Sequence, residues 1–445
     1  MRSWIRSFGL EVVGFAAVAG FLWWGLARVP FHPDEASLLF ESRDLELLVT
    51  HPLAMAWRPG TRSSPETTYR LLNAPLPKYI LGLGRRVAGY GPESVAVDWN
   101  WSRNWEENVM AGALPPADLL EASRAASTIA LLAAIVASYV AGRRIGGRAV
   151  GWAAAILLGL NALALLHGRR AMSEGTLLMG VALSIVGILS AERRPWLAGL
   201  TLALAVNAKF SPVALVPVGL LATAWSVEGS GQSIRAVLRR IAWFGLAFIG
   251  VTLLLQPVLW RHPFRSLQAM WQERQALLAR QVADMQALAP DHVISSLAER
   301  TAVLTANIYL APLQFEEVGN YTVELRDSYI DYQRVFGHSL LRSSLGGGLL
   351  IALTLLGLIW GLQRSRREGA VTRRLFALLF LATFLQGVAL VAAIPIPIQR
   401  YTLPLLPFLC LWESVGLLGG FPRHETQRRP EAGAASGVET NPRYS

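Results

Sequence analysis

The chain has 445 residues, 53% hydrophobic and only 16% charged, with a mean hydropathy of +0.38 and a formal charge of +11. Soluble domains carry roughly 25% charged residues, so this balance, with its long apolar runs, excludes an ordinary soluble enzyme and specifies an integral membrane protein. The arginines sit in short connections between apolar runs, which assigns the positive charge to membrane orientation and not to nucleic acid. The single cysteine, Cys410, excludes an intrachain disulfide.

In chain order, apolar runs fall near 8–27, 125–142, 149–166, 171–190, 195–208, 212–226, 241–258, 346–362, 375–393 and 401–419. They predict an all-α polytopic membrane protein with about ten spans, since a span needs about 20 apolar residues and shorter ones need protein-lined ends. The first run contains Glu11, ends in Phe21-Leu22-Trp23-Trp24 and lacks a small-residue cleavage site, so it reads as a retained anchor and not a signal peptide. A cytoplasmic N-terminus then places Arg143, Arg144, Arg148, Arg193, Arg194, Arg235, Arg239, Arg240, Arg364, Arg366, Arg367, Arg373 and Arg374 inside. The short connections on the other side hold Arg169, Arg170, Lys209 and Arg400, a strong positive-inside bias. Leu76 to Tyr90 is short and carries Arg85 and Arg86; counting it as a span would invert every later loop, so it reads as an interfacial amphipathic helix.

This divides the chain into an N-terminal end and first span (1–27), a first external loop (28–124) and a transmembrane core (125–258). A second external segment (259–345), C-terminal spans (346–420) and a disordered cytoplasmic tail (421–445) follow. The second segment predicts helices near 266–289 and 291–309, then a polar stretch rich in Tyr and Glu. Trp99, Trp101 and Trp105 suggest that the first loop rests on the membrane surface. The expected setting is a plasma (inner) membrane with both termini cytoplasmic and the working face external or periplasmic.

Candidate chemistry gathers on that external side. His32-Pro33-Asp34-Glu35 follows the first span. A carboxylate there can take a proton from a hydroxyl, worth about 10²–10⁴-fold, while Pro33 with two acids is also a good helix start. His167-Gly168-Arg169-Arg170, with Glu174 downstream, breaks the positive-inside trend. Its guanidinium groups suit an anionic headgroup, or else snorkel. Lys209 lies in a short turn before Pro212, and Arg400-Tyr401 follows Pro395 and Pro397. Lys78, on the interfacial helix, could join these cations. The histidines show no zinc-ligand spacing, and no Asp-x-Asp motif appears in the external loops. Asn100-Trp101-Ser102 and Asn320-Tyr321-Thr322 match the glycosylation sequon, which has meaning only in a eukaryotic secretory host. There is no internal repeat and no phosphate-binding Gly-rich loop.

These motifs resemble the GT-C superfamily of multi-spanning glycosyltransferases that use polyprenyl-phosphate sugars, close to protein O-mannosyltransferases and aminoarabinose transferases. HPDE is similar to their acidic motif, and Asn73-Ala74-Pro75-Leu76-Pro77-Lys78 resembles the Pro-Pro-Leu-Gly-Lys helix of the O-mannosyltransferases. Arg124, Arg170 with Glu174, Lys209 and Arg400-Tyr401-x-x-Pro404-x-x-Pro407 follow in the family's order. The resemblance implies a GT-C bundle with juxtamembrane helices in the first external loop and an inverting sugar transfer to a hydroxyl of a glycan, lipid or protein. By it, Asp34 is the base and Glu35 positions it or the acceptor. Arg170, Arg400, Lys209 and Lys78 hold the donor phosphate, supported by His32, His167, Arg169, Glu174 and Tyr401, with no cofactor or metal called for. One departure is Asn73-Ala74-Pro75, where the family carries His-Pro-Pro or Lys-Pro-Pro. A transporter or flippase of lipid-linked sugar, or a non-catalytic assembly subunit, are the alternatives. The first is disfavoured by the missing inverted repeat, the second by the retained Asp34 and Arg170.

Overall fold

The computed structural model describes residues 2–60, 64–95, 97–226, 233–317, 321–393 and 395–420. The tail expected to be disordered, 421–445, and Asn320 of the second sequon lie outside them. Among the described residues every regular element is helical. Seven helices are long and apolar enough to cross a membrane, and Pro195–Ala208 and Ser211–Ala224 are shorter apolar ones. The ten apolar runs all fall on helices.

The first of these helices is α1 (Arg2–Trp24). The first loop then folds into α2 (Pro33–Glu41), α3 (Asp44–Thr50), α4 (Pro65–Leu72), α5 (Pro75–Val87) and α6 (Trp105–Met110). The bundle continues with α7 (Ala117–Gly159), α8 (Ala162–His167), α9 (Ser173–Ser190), α10 (Pro195–Ala208), α11 (Val216–Ala224) and α12 (Ile234–Leu255). The second loop carries α13 (Pro263–Leu288), α14 (Leu297–Tyr309) and α15 (Thr322–Arg334), the last within the Tyr/Glu-rich stretch. After α16 (Ser344–Arg367) and α17 (Ala370–Ala393), a 3₁₀ segment, Gln399–Leu405, leads into α18 (Leu406–Leu418).

Local chemistry explains where the runs break. α7 holds two predicted runs joined at Gly146 and Gly147, and Gly147 has φ +81°, a left-handed conformation that glycine tolerates without a steric penalty. Its two halves then approach so closely that a Cβ on Gly142 would lie 2.9 Å from the Gly151 Cα. The run 149–166 breaks at Leu160, where Asn161 caps α8 by accepting from the Leu163 and Ala164 N–H groups at 3.0 and 3.2 Å. The last span is the most enclosed, with 83% of its most apolar stretch buried, against 6% for α12, which presents Trp243, Leu246, Ile249 and Leu254 outward. Outward apolar side chains of this kind are what a lipid-facing helix requires.

The arginine-rich connections gather at one end of the bundle. Arg148 lies 2.9 Å from Glu11 of α1, Arg144 bonds Ser190, and Arg374 lies 3.3 Å from Glu192. The two large loops, 28–124 and 259–345, meet at the other end. There Trp99 is buried with Phe31, Trp105 and Tyr321, and its indole N–H donates to the Tyr321 hydroxyl at 3.2 Å. Trp99 therefore welds the two loops together, where the sequence alone suggested a membrane-surface residue. α5 is not among the apolar helices long enough to span, and it buries Tyr79, Leu81 and Arg85. Arg85 bonds Glu46 of α3 at 2.8 Å, and Gly84 packs on Ala126 of α7.

Candidate active site

The site begins at the N-terminus of α2. Pro33 fixes the first helical φ, and the two acids that follow suit the positive end of the helix. His32 caps the turn: its Nδ1 accepts the Asp34 N–H at 3.1 Å, and its own N–H donates to Glu35 Oε2 at 3.0 Å. Adjacent residues on a helix point in different directions, so the two acids part company. Asp34 stays partly exposed, with 24% of its side chain accessible, whereas Glu35 is fully buried.

Asp34 meets a residue that lies 366 positions away. Its carboxylate pairs with Arg400 Nη1, on the 3₁₀ segment before α18. Arg400 Nε lies 2.7 Å from Glu317 Oε1, and Glu317 Oε2 lies 2.9 Å from His32 Nε2. Glu317, Arg400, Asp34 and His32 thus close a ring built from both large loops and the entry to the last span. Burial by itself would raise the Glu317 carboxyl, but the Arg400 guanidinium beside it holds it well below the usual carboxylate range. Trp101 stands edge-on to His32, with ring centroids 6.4 Å apart, at the open side.

A second layer lies inward of the ring. Lys209 Nζ is 3.0 Å from Glu174 Oε1 and 5.1 Å from the centre of the Tyr401 ring. Glu174 Oε2 has no hydrogen-bond partner. Arg170 is fully buried, donating from Nε to the Pro30 carbonyl at 3.2 Å and from Nη2 to the Phe315 carbonyl at 2.9 Å. Among the described residues its Nη1 is unpartnered, as are both ring nitrogens of buried His167. Buried donors and acceptors of both signs left unsatisfied in one cluster suit a polar ligand, because leaving such groups dry costs about 1–3 kcal/mol each.

Three expected site residues take other roles. Glu35 does not face this space: Arg124 Nε and Nη2 donate to it at 2.8 and 2.7 Å, and the Ala171 N–H donates at 2.7 Å. It clamps α2 to α7 and to the turn before α9. Lys78 is also buried, but in a separate cluster, 2.9 Å from Asp44 and 3.5 Å from Glu41. Asn73, where the family carries a basic residue, donates to Glu41 at 2.6 Å in that same cluster. Arg169 points away from Arg170, toward the Tyr332 hydroxyl at 3.1 Å and His338 Nε2 at 2.9 Å. The remaining expected residues, His32, Asp34, His167, Arg170, Glu174, Lys209, Arg400 and Tyr401, are brought together. Sequence reasoning missed Glu317; its only signal is a pair of adjacent acids, Glu316-Glu317, in an external loop, a pattern that HPDE shares.

The class is therefore an all-helical integral membrane protein with the GT-C fold, its ionisable cluster seated where two large loops close over one end of the bundle. More particularly, the chain resembles the protein O-mannosyltransferases: residues 64–270 match the model of the dolichyl-phosphate-mannose-protein mannosyltransferase family. That stretch is under half of the chain; it includes Arg170 and Lys209 and excludes Asp34, Glu317 and Arg400. Among solved structures, ArnT from Cupriavidus metallidurans bound to undecaprenyl phosphate is 16% identical with a TM-score of 0.50, covering 92% of this chain and 60% of its own. The Archaeoglobus fulgidus oligosaccharyltransferase in its apo form is 11% identical, TM-score 0.46, covering 91% and 50%. The S. cerevisiae protein O-mannosyltransferase Pmt1-Pmt2 complex bound to the sugar donor is 14% identical, TM-score 0.38, covering 58% and 34%. The chain thus spans 60% or less of the length of each. A comparison with curated protein sequences gives no match.

Proposed function

We propose that this protein transfers a sugar from a polyprenyl-phosphate donor to a hydroxyl acceptor at the non-cytoplasmic face of the membrane, by inverting single displacement. The observation that carries the reading is the contact between the Asp34 carboxylate and the Arg400 guanidinium at the end of the bundle opposite the arginine-rich connections. The family match and the shared fold with ArnT, a protein solved with undecaprenyl phosphate, support the donor class.

In this mechanism the acceptor oxygen attacks the anomeric carbon as its proton passes to the Asp34 carboxylate. The bond from that carbon to the phosphate oxygen breaks, and the lipid phosphate leaves with the electron pair. Arg400, the free Nη1 of Arg170 and Lys209 would carry the growing negative charge, the electrostatic task for which fixed cations are suited. Glu35 acts through Asp34, holding the α2 turn in place from behind.

The test is transfer of labelled sugar from purified polyprenyl-phosphate sugars to membrane acceptors by the reconstituted protein. Asp34→Asn should lose about 10²–10⁴-fold in rate while still binding donor, and Arg170→Ala should weaken both binding and turnover. Wild-type rates in Asp34→Asn would sink the base assignment. Absence of transfer from any such donor by well-folded wild type would sink the enzyme reading.

A further inference from the structure

Arg400 is held by two carboxylates where one would neutralise it. Asp34 takes Nη1, and Glu317 Oε1 lies 2.7 Å from Nε, an ion pair in which the Nε–H is not aligned for a hydrogen bond. These three groups carry a net charge of about −1, an odd arrangement for a place that has to receive a phosphate. Glu317 also has a second duty. His32 Nδ1 accepts the Asp34 N–H, so the hydrogen of the ring is on Nε2, where it points at Glu317 Oε2, 2.9 Å away. Through one oxygen Glu317 therefore braces the cap that fixes Asp34, and through the other it braces Arg400.

Resting on the transfer reading above, we infer that Glu317 is a positioning residue that lets Arg400 change partners. When the donor enters, the phosphate replaces Asp34 at the Nη edge of Arg400. Glu317 keeps the guanidinium in place by its charge beside Nε and keeps the Asp34 turn in place through His32. Asp34 is thereby released from its ion pair, and becomes free to accept a proton, at the moment the donor is seated. A second carboxylate that opposes anion binding is then the cost of coupling donor binding to activation of the base.

The structure separates the two duties of Glu317 into charge and reach, and two variants read them independently. Glu317→Gln removes the charge that competes with phosphate, so polyprenyl phosphate should bind about 3- to 10-fold more tightly, a gain of roughly 1 kcal/mol. Turnover per binding site should nevertheless fall about 10-fold or more, because the ring no longer holds Arg400 and His32 together. Glu317→Asp keeps the charge but is one methylene too short to reach both partners. It should bind polyprenyl phosphate like wild type and still lose turnover. Rates are counted per polyprenyl-phosphate site, so a misfolded fraction cannot mimic the result, and a purely structural role cannot tighten binding.

The inference is overturned if Glu317→Gln binds polyprenyl phosphate more weakly than wild type, or if either variant turns over at the wild-type rate per site. Wild type that binds polyprenyl phosphate but transfers no sugar would refute the transfer reading instead. The affinity of Glu317→Gln would still decide whether Glu317 competes for Arg400.

Discussion

Arg124→Met isolates the buried clamp behind the site. Glu35 is fully buried and accepts four hydrogen bonds: two from the Arg124 guanidinium, at 2.8 and 2.7 Å, one from the Ala171 N–H at 2.7 Å and one from the His32 N–H at 3.0 Å. Removing one partner of a buried ion pair strands the other charge and costs about 3–5 kcal/mol. The sign with pH follows from the carboxyl. Burial pushes Glu35 up, but Arg124, Arg170 and the Ala171 N–H together hold it below its ordinary 4.5. In wild type its stabilisation is therefore present above about pH 4.5 and lost as pH falls through the lower folded value. Without Arg124 the strongest opposing group is gone, the folded value moves up, and the cost of keeping Glu35 ionised falls more heavily on the folded state at high pH. Thermal unfolding in detergent should show Arg124→Met much less stable than wild type at about pH 8, with the gap narrowing toward about pH 4. Adding Glu35→Gln should restore roughly half of the loss or more, because no buried charge is then left unpaired. A single-variant cost under about 1 kcal/mol, or a double variant no more stable than the single one, would refute the clamp.

The separate carboxylate cluster gives the opposite pH behaviour. Burial raises Glu41 to about 7, although Lys78 and Asn73 oppose it. The folded state therefore loses stability as pH rises from about 4.5 through about 7, by on the order of 3 kcal/mol. Glu41→Gln should raise the melting temperature at about pH 8 and leave it unchanged near pH 4; a uniform effect at both would count against the assignment. In the proposed mechanism Arg400, Arg170 and Lys209 serve as the cations for the phosphate, so dialysis against EDTA should leave sugar transfer intact, and a loss that added Mg²⁺ or Mn²⁺ restores would argue for a metal.

Much of the architecture is dictated locally. Hydrophobic runs, arginine bias and helix breakers act within a few residues, and so the chain's apolar helices could be read directly from it. The same holds for α2: Pro33 and the acids around it specify a helix start whatever the rest of the molecule does. Even so, Asp34 and Glu35 look alike as a pair of letters, and their different fates follow from helix geometry set against distant partners. Arg124 claims Glu35 across 89 positions, and Arg400 claims Asp34 across 366. Lys78 shows the same limit in reverse. It fits the phosphate-binding pattern by order along the chain, yet α5 packs it against Asp44 and Glu41. Arg169 and Arg170 are neighbours in a tight turn, and only the packing of α1, the second loop and α15 around that turn sends one to buried Tyr332 and the other toward the site. Glu317 was missed because its one local signal, the adjacent acid Glu316, is equally common in solvated surface loops. The sequence by itself determined a multi-spanning helical protein and the residue types available in its two large loops. Only the tertiary structure decided which charges face one another, because Coulomb pairing and burial act between segments that meet solely when the bundle closes.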